Sequence, residues 1–250
     1  MIDLYAKLAI PDTCYLGKKI FKKLFYENAQ LNATDKKAFT QDIGDIEWKY
    51  TLKPDTINIA RYANEEREYD EVAVIQVNLK EPQRYKRIAQ IIQRAIPYPL
   101  LVVLAHESVV ALNVAAKRIN RADRERIMVE EFQETDWIDL ESPASHEQDF
   151  LDSLAVTSFS YNNFFEFYSD LTERIVGLNC AEFSGIFTAE ASNPGYGGRA
   201  EILERVSLLQ QKQTELRAAL KKESQFSRKV ELNMELKKVG EQINTQKGAL

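Results

Sequence analysis

The residues that come closest to a catalytic arrangement are one acid and three polar positions of an apolar run: Asp55, Gln76, Asn78 and Lys80. One arrangement that holds Mg²⁺ for phosphodiester cleavage combines an Asp near one strand with a second acid two positions before a Lys on the next strand, so that hard oxygen ligands and an ammonium meet at one phosphate. Gln76 and Asn78 stand where that second acid is needed, and neutral amides are poor Mg²⁺ ligands. Glu71 lies nine residues before Lys80, which is roughly 30 Å along an extended strand. The sequence therefore predicts no metal site and no cofactor.

Other catalytic groups are sparse in this sequence. The histidines are His106 and His146, and the cysteines are Cys14 and Cys180. The cysteines are far apart and lack the spacing of metal ligands, and two unpaired thiols are typical of a reducing compartment. The chain contains no P-loop, no GxGxxG motif and no nucleophile elbow. These observations favour a protein that is not an enzyme.

Basic residues are the candidate contacts to nucleic acid or to a partner. They lie in a predicted first helix and at predicted strand ends, where phosphate groups can approach: Lys18, Lys19, Lys22, Lys23, Lys80, Lys117 and Arg118. The net charge is −5, and from Arg199 onward 11 Lys plus Arg face 7 Glu, which gives a tail of +4 on a body of −9. Solvated surface charge is the alternative interpretation for each residue. A winged helix that binds DNA is a further alternative, because two short lysine-bearing helices precede a strand.

The elements that must position these residues are centred on residues 69–120. This stretch contains an apolar strand, an amphipathic helix after Pro82, a second apolar strand, a tight connection at residues 106–108 and a third strand. Strand, crossover helix and strand predict a parallel pair, and the hairpin adds an antiparallel neighbour. In the N-terminal part, the patterns predict a strand or turn at residues 4–10, a helix at residues 16–27 and a second helix that Thr34 caps and that runs to Ile43. Further strands are predicted at residues 45–52, 56–60 and 127–132.

The C-terminal part of the chain is predicted to be helical. Apolar spacing predicts a helix at residues 161–178, and a Gly-rich joint at residues 193–200 separates a body of residues 1–192 from a tail of residues 201–250. The tail carries two apolar seams that are out of step with each other, Ile202, Val206, Leu209, Leu216 and Leu220, then Leu232, Leu236, Val239 and Ile243. The phase shift and the polar residues 223–227 favour an antiparallel hairpin over one unbroken helix. Each helix leaves apolar surface that another protein chain, a second copy in a homo-oligomer or the body of this chain can cover.

The predicted fold class is therefore α/β (α+β), with a mixed central β-sheet, flanking helices and a C-terminal helical hairpin or coiled coil. Helix, three strands, helix and strand is also the element order of restriction-endonuclease-like nucleases, so a degenerate nuclease without its metal ligands is one alternative. No run is long enough for a membrane span, and the N-terminal segment lacks the features of a signal peptide. We expect a cytoplasmic protein without a membrane partner.

Several linked runs give the chain a family resemblance: IPDT, GKKIFKKLFYENAQL, IEWKYTLKPDTINI, EVAVIQVNLK, AIPYPLLVVL, TDWID and KKESQFSRKVELNMELKKV. From near Ile10 through the tail, the chain resembles the bacterial and archaeal domain of unknown function DUF4391. Such proteins look like companions of helicase, DNA methyltransferase and nuclease genes in restriction-like anti-phage loci, and the resemblance carries over no catalytic residue. It implies a non-catalytic accessory or interaction subunit of a DNA-directed defence complex, docking on a helicase or methyltransferase. A DNA-binding adaptor is a further alternative.

Overall fold

A computed structural model describes residues 2–28, 31–120, 127–189 and 198–248. The chain divides into two compact units, Met1–Ile175 and Val176–Leu250. The first unit contains a β-sheet with helices, and the described elements of the second unit are helices. None of the helices in these ranges combines the length and apolarity that crossing a bilayer requires.

The helices of the described residues are α1 (Leu4–Leu8), α2 (Lys23–Asn28), α3 (Ala33–Gln41), α4 (Pro54–Ile57), α5 (Tyr85–Ala95), α6 (Ser145–Ser153), α7 (Phe164–Ser184), α8 (Gly198–Lys222) and α9 (Phe226–Lys247). The strands are β1 (Tyr15–Lys19), β2 (Ile43–Leu52), β3 (Tyr62–Ala63), β4 (Glu68–Tyr69), β5 (Val72–Leu79), β6 (Leu100–His106), β7 (Val109–Ile119), β8 (Ile127–Glu134) and β9 (Ile138–Asp139).

The central sheet has the strand order β1-β2-β5-β6-β7-β8, and β9 pairs with β7. Strand β2 lies antiparallel between β1 and β5, with Asp45 opposite Asn78 and Leu52 opposite Val72. Strands β5 and β6 are parallel with α5 between them in the chain, and β7 is antiparallel to β6. The predicted crossover and hairpin are therefore confirmed, and so is the predicted mixed α/β fold class.

One face of the sheet packs against α5 and its neighbours. Ile75 and Val77 alternate along β5 and lie in one buried cluster with Ile88 and Ile92 of α5. Residues two apart on a strand and four apart on a helix share a face, which is why the sequence pattern locates this core.

Helix α7 ties β6 and β7 together through a single side chain. The Tyr168 hydroxyl donates to the Leu100 carbonyl at 2.8 Å and accepts from the Ala115 N–H at 2.9 Å. Phe164 and Leu171 are buried on the same helix. The helix predicted at residues 161–178 therefore contributes buried side chains to the core.

The largest difference from the sequence-based expectation concerns residues 16–27. The predicted single amphipathic helix is instead the edge strand β1 followed by the short helix α2. Gly17 has a left-handed φ of 61° in a stretch where the register with β2 shifts, a conformation that glycine adopts without strain. The Ile20 N–H donates to the Ile46 carbonyl at 2.8 Å and extends the pairing with β2 beyond β1.

Local capping explains two further differences near the N-terminus. Residues 4–10, predicted as a strand or turn, contain α1, because the Asp3 carboxylate accepts hydrogen bonds from N–H groups of the first turn. Asn32, rather than Thr34, caps α3.

The strand predicted at residues 56–60 is replaced by a helical turn. Pro54 stands at the start of α4, where its missing N–H costs no hydrogen bond. Asn58 ends the turn in the left-handed region at a φ of 58°, which Asn tolerates better than most residues.

The second unit contains the predicted antiparallel hairpin. Lys212 of α8 and Glu235 of α9 form an ion pair of 2.8 Å, and a groove brings Arg205 near the start of α8 against Gln242 near the end of α9. The two helices are separated by residues 223–225, so the unbroken-helix alternative is wrong. Of the predicted joint, residues 193–197 lie outside the described residues and residues 198–200 begin α8.

Candidate functional site

The ends of β1 and β5 bring three of the predicted basic residues together. Both strands run antiparallel to β2 and so point toward its start: β5 ends opposite Ile43, the first residue of β2, and β1 ends opposite Glu47, near the middle of β2. Lys19 is the last residue of β1, Lys80 directly follows β5, and Lys22 lies between β1 and α2. The Lys22 ammonium donates to the Ile43 carbonyl at 2.5 Å. We refer to Lys19, Lys22 and Lys80 as the lysine cluster.

The lysine cluster concentrates positive charge. Burial lowers the pKa of Lys22, the charge of Lys80 lowers it further, Asp45 opposes this shift, and Lys19 adds a smaller lowering. Like charges at short range repel, and an anion bound between them reduces that repulsion. The arrangement suits an acidic or phosphate-bearing ligand.

Lys117 lies at the opposite end of the sheet and is not a surface cation. Its side chain is buried, at 3% exposure, and its ammonium donates to the carbonyls of Ile96 at 2.7 Å and Tyr98 at 2.5 Å. Burial lowers the pKa of Lys117 well below its usual value. Because the Lys117 ammonium is buried and bound to two backbone carbonyl groups, its role is structural and it is not a contact for phosphate.

The other predicted basic residues are also outside the lysine cluster. Lys18 is exposed on β1, and Lys23 begins α2. Arg118, beside Lys117 on β7, forms an ion pair of 2.6 Å with Glu130. Lys18 and Lys23 remain near the cluster along the chain, whereas Arg118 belongs with Glu130.

A row of hydrogen-bonded polar side chains lies on β2, β5 and α1. The Asn78 amide donates to Asp45 Oδ1 at 2.9 Å, the Gln76 amide donates to Asn78 Oδ1 at 2.8 Å, and the Tyr5 hydroxyl donates to Gln76 Oε1. We call Asp45, Asn78, Gln76 and Tyr5 the polar row. Burial, with smaller contributions from Tyr50, Glu47 and Asp3, raises the pKa of Tyr5, so this phenol is a donor near neutral pH.

Two members of the polar row, Tyr5 and Asp45, were not among the residues predicted from the sequence. Tyr5 lies in a segment that we predicted as strand or turn, and no local pattern links it to β5. Asp45 carried a usable signal, because it alternates with Ile46, which faces the core. The pairing of β2 with β5 was needed to place Asp45 beside Asn78.

Asp55, considered above as a possible metal ligand, lies away from the polar row. Asp45 is opposite Asn78, whereas Asp55 lies in α4 beyond the other end of β2, about 20 Å or more along the strand. Over the ranges that the structure describes, no group of three or more His, Cys, Asp or Glu side chains is arranged to hold a metal ion.

Asp55 instead lines a polar groove of about 600 Å³ with Arg61, Asp70 and Tyr98. The groove also contains the Lys53–Glu71 ion pair at 3.4 Å. Its lining carries both signs of charge and so favours no single class of ligand.

The second unit presents a different kind of surface. Of the predicted tail seam, Val206, Leu232, Val239 and Ile243 are buried, and Ile202, Leu209, Leu216, Leu220 and Leu236 are half-buried. Phe226, Val230 and Met234 follow each other at four-residue spacing on α9 and are 81%, 42% and 69% exposed. Side chains four apart share a helix face, and we call these three residues the apolar row of α9.

Comparison with known proteins identifies a family but no characterised relative. No curated protein and no solved structure matches the chain at a significant level. A family model described as "Domain of unknown function (DUF4391)" matches residues 8–243, which is nearly the whole chain. The chain therefore belongs to the DUF4391 family.

Proposed function

We propose that this protein is a non-catalytic accessory subunit of a DNA-directed anti-phage defence complex and docks on a helicase or methyltransferase. The observation that carries the proposal is the apolar row of α9, because large exposed apolar side chains on one face are typical of protein interaction sites. Burying each such side chain in an interface contributes about 1.5–3 kcal/mol. Membership in DUF4391, whose members look like companions of restriction-like genes, supports the DNA-directed setting.

The polar row supports a non-catalytic role. Gln76 and Asn78 hydrogen-bond to each other, and Asn78 hydrogen-bonds to Asp45. Neutral amides thus occupy the strand positions where a metal-dependent nuclease needs carboxylates.

Co-expression with the neighbouring genes tests the accessory role. The tagged full-length chain is expressed with any helicase and methyltransferase genes that neighbour its own gene, and the purified material is analysed by size-exclusion chromatography. We expect co-elution with one of these proteins, lost in the double variant Phe226→Glu, Met234→Glu. The matched control is Asn233→Glu, Asn244→Glu, which places the same charges at exposed polar positions of α9. Absence of co-elution for the native chain, or equal co-elution of both double variants, contradicts the proposal.

A degenerate nuclease is the second candidate, and the position of Asp45 opposite Asn78 with Lys80 two residues further favours it. The purified protein is incubated with supercoiled plasmid and Mg²⁺ or Mn²⁺. Metal-dependent cutting that Asp45→Asn abolishes would establish nuclease activity and overturn the non-catalytic role. Asp55→Ala is the matched control, because Asp55 lies beyond the other end of β2.

A DNA-binding adaptor is the third candidate, favoured by the lysine cluster. It predicts duplex binding at low salt that weakens steeply as salt rises and is lost in Lys19→Ala, Lys80→Ala. Fluorescence anisotropy with a labelled duplex measures both properties. No binding at low salt excludes the adaptor.

A further inference from the structure

Strand β1 is an open edge of the sheet. It is the terminal strand in the sheet order and pairs with β2 alone. All five of its residues are exposed. Within the described ranges, the Tyr15 N–H donates to the Asp12 carbonyl, and no other backbone group outside the β1–β2 pairing hydrogen-bonds to β1. The open part of the edge is therefore residues 16–19. Such an edge can accept a further strand through backbone hydrogen bonds.

Apolar side chains surround this open edge. Tyr15 and Leu16 on β1 are exposed, and Phe21 and Leu24 follow them in the connection and in α2, also exposed. Residues 15–24 thus expose four large apolar side chains at and beside an unpaired strand edge. Such a surface promotes aggregation unless another chain covers it.

The charge of the same segment selects among possible occupants. Residues 15–26 contain four lysines, Lys18, Lys19, Lys22 and Lys23, and no Asp or Glu. A second copy of β1 would bring the same positive charges, so the lysines disfavour pairing between copies. Duplex DNA would satisfy the charges but offers no peptide groups for the strand edge. An extended acidic segment of a protein matches the charge, the apolar side chains and the open backbone together.

We propose that β1 docks an acidic, extended segment of a partner protein, which adds to the sheet as a further strand beside β1. Backbone hydrogen bonds between the partner segment and β1 supply affinity. Acidic side chains of the partner segment pair with the lysines, and its apolar side chains cover Leu16 and Phe21. This inference rests on the proposed accessory function, but it uses the first unit rather than the apolar row of α9. The two surfaces can therefore be tested separately.

Site-specific crosslinking tests the edge directly. Leu16 is replaced by the photo-crosslinker p-benzoylphenylalanine in the full-length chain, expressed together with its native locus. The control carries the same group at Met128 on β8, the strand at the other end of the sheet order, because Leu16 and Met128 have similar exposures of 38% and 40%. We expect position 16, and not position 128, to capture a partner peptide in which Asp plus Glu exceed Lys plus Arg. Capture of a second copy, of nucleic acid or of a peptide without acidic excess overturns the proposal.

Charge reversal provides the second measurement. Lys18→Glu, Lys19→Glu is expected to weaken the partner affinity about tenfold, since two attractive contacts become repulsive. Lys36→Glu, Lys37→Glu on α3 makes the same change in net charge at exposed positions and is expected to leave the affinity unchanged. Equal weakening in both double variants overturns the proposal, and circular dichroism verifies that both fold.

The same experiments separate this inference from the proposed function. If a partner co-elutes and depends on Phe226 and Met234, but position 16 captures nothing and the reversal of Lys18 and Lys19 has no effect, the edge proposal fails and the accessory function stands. If no partner co-elutes and position 16 captures nothing, both fail.

Discussion

The guanidinium of Arg87 on α5 holds the carboxylate of Asp35 on α3 through two hydrogen bonds, Nε to Oδ1 and Nη2 to Oδ2, each 2.8 Å long. The Asp35 side chain is 3% exposed and the Arg87 side chain 43%. Hydrogen bonding to Arg87 is the main reason that the pKa of Asp35 is lowered. The pair fixes α3 against α5.

We expect Arg87→Met to destabilise the protein by about 1–3 kcal/mol. The variant leaves a buried carboxylate without its partner, and the half-exposed position of Arg87 keeps the loss below the ~3–5 kcal/mol of a fully buried pair. Urea unfolding measures the change. Lys36→Met, an exposed substitution on α3, should stay within about 0.5 kcal/mol. Equal stability of the two variants would show that the pair contributes nothing.

The burial of Lys117 predicts a pH dependence of stability. Because burial lowers the pKa of folded Lys117 well below 10.5, the unfolded chain binds more protons between the lowered value and 10.5. Stability contributed by this group therefore rises with pH through that window. Unfolding by urea at pH 7, 8, 9 and 10 should show wild type gaining stability relative to Lys117→Met as pH rises. Lys36→Met serves as the control for other titrations, and parallel curves for wild type and Lys117→Met would contradict the prediction.

The hydroxyl of Tyr168 should contribute more to the free energy of unfolding than the hydroxyl of an exposed tyrosine. Tyr168→Phe leaves the buried Ala115 N–H and the Leu100 carbonyl without this partner, and we expect a loss of about 1–3 kcal/mol in the free energy of unfolding. Tyr161→Phe, at an exposed position, should cost less than about 0.5 kcal/mol. A loss of the same size in both variants would argue against the bridging role.

The lysine cluster can be detected through its mutual repulsion. Lys80→Gln removes a positive charge that lowers the pKa of Lys22, so the pKa of Lys22 should rise. NMR titration of lysine side-chain resonances measures this change. Lys53→Gln, beyond the other end of β2, should leave the Lys22 titration unchanged. An unchanged titration in Lys80→Gln would mean that the two ammonium groups are not neighbours in solution.

The sequence predicts the elements whose structure is decided locally. Ile75 and Val77 belong to a continuous apolar run, and Ile88 and Ile92 fall on one helical stripe, so strand, helix and core follow from spacing alone. Residues 15–20 show the limit of this approach. Ile20 and Leu24 have helical spacing, but distant pairing with β2 decides the structure, and β-propensity depends strongly on such context.

The candidate site was harder to predict than the fold. Lys19, Lys22 and Lys80 could be named individually, but only the antiparallel arrangement of β1, β2 and β5 places them together. Lys117 lies at the end of a predicted strand, a position where phosphate groups can approach, but its side chain is buried in the structure. No residue near Lys117 in the sequence predicts that its ammonium donates to the carbonyl groups of Ile96 and Tyr98.

The pairing of Asp45 with Asn78 also limits how this region can change by heritable mutation. Successive side chains on a strand point to opposite faces, so a one-residue insertion that shifts the pairing between Asp45 and Trp48 would exchange Asp45 and Ile46 between solvent and core. Strand β2 already holds an extra residue at each of two register shifts, between Ile43 and Asp45 and between Trp48 and Tyr50, without that exchange. Length variation is therefore confined to these two positions and the connecting loops, while the stretch from Asp45 to Trp48 diversifies by side-chain replacement alone.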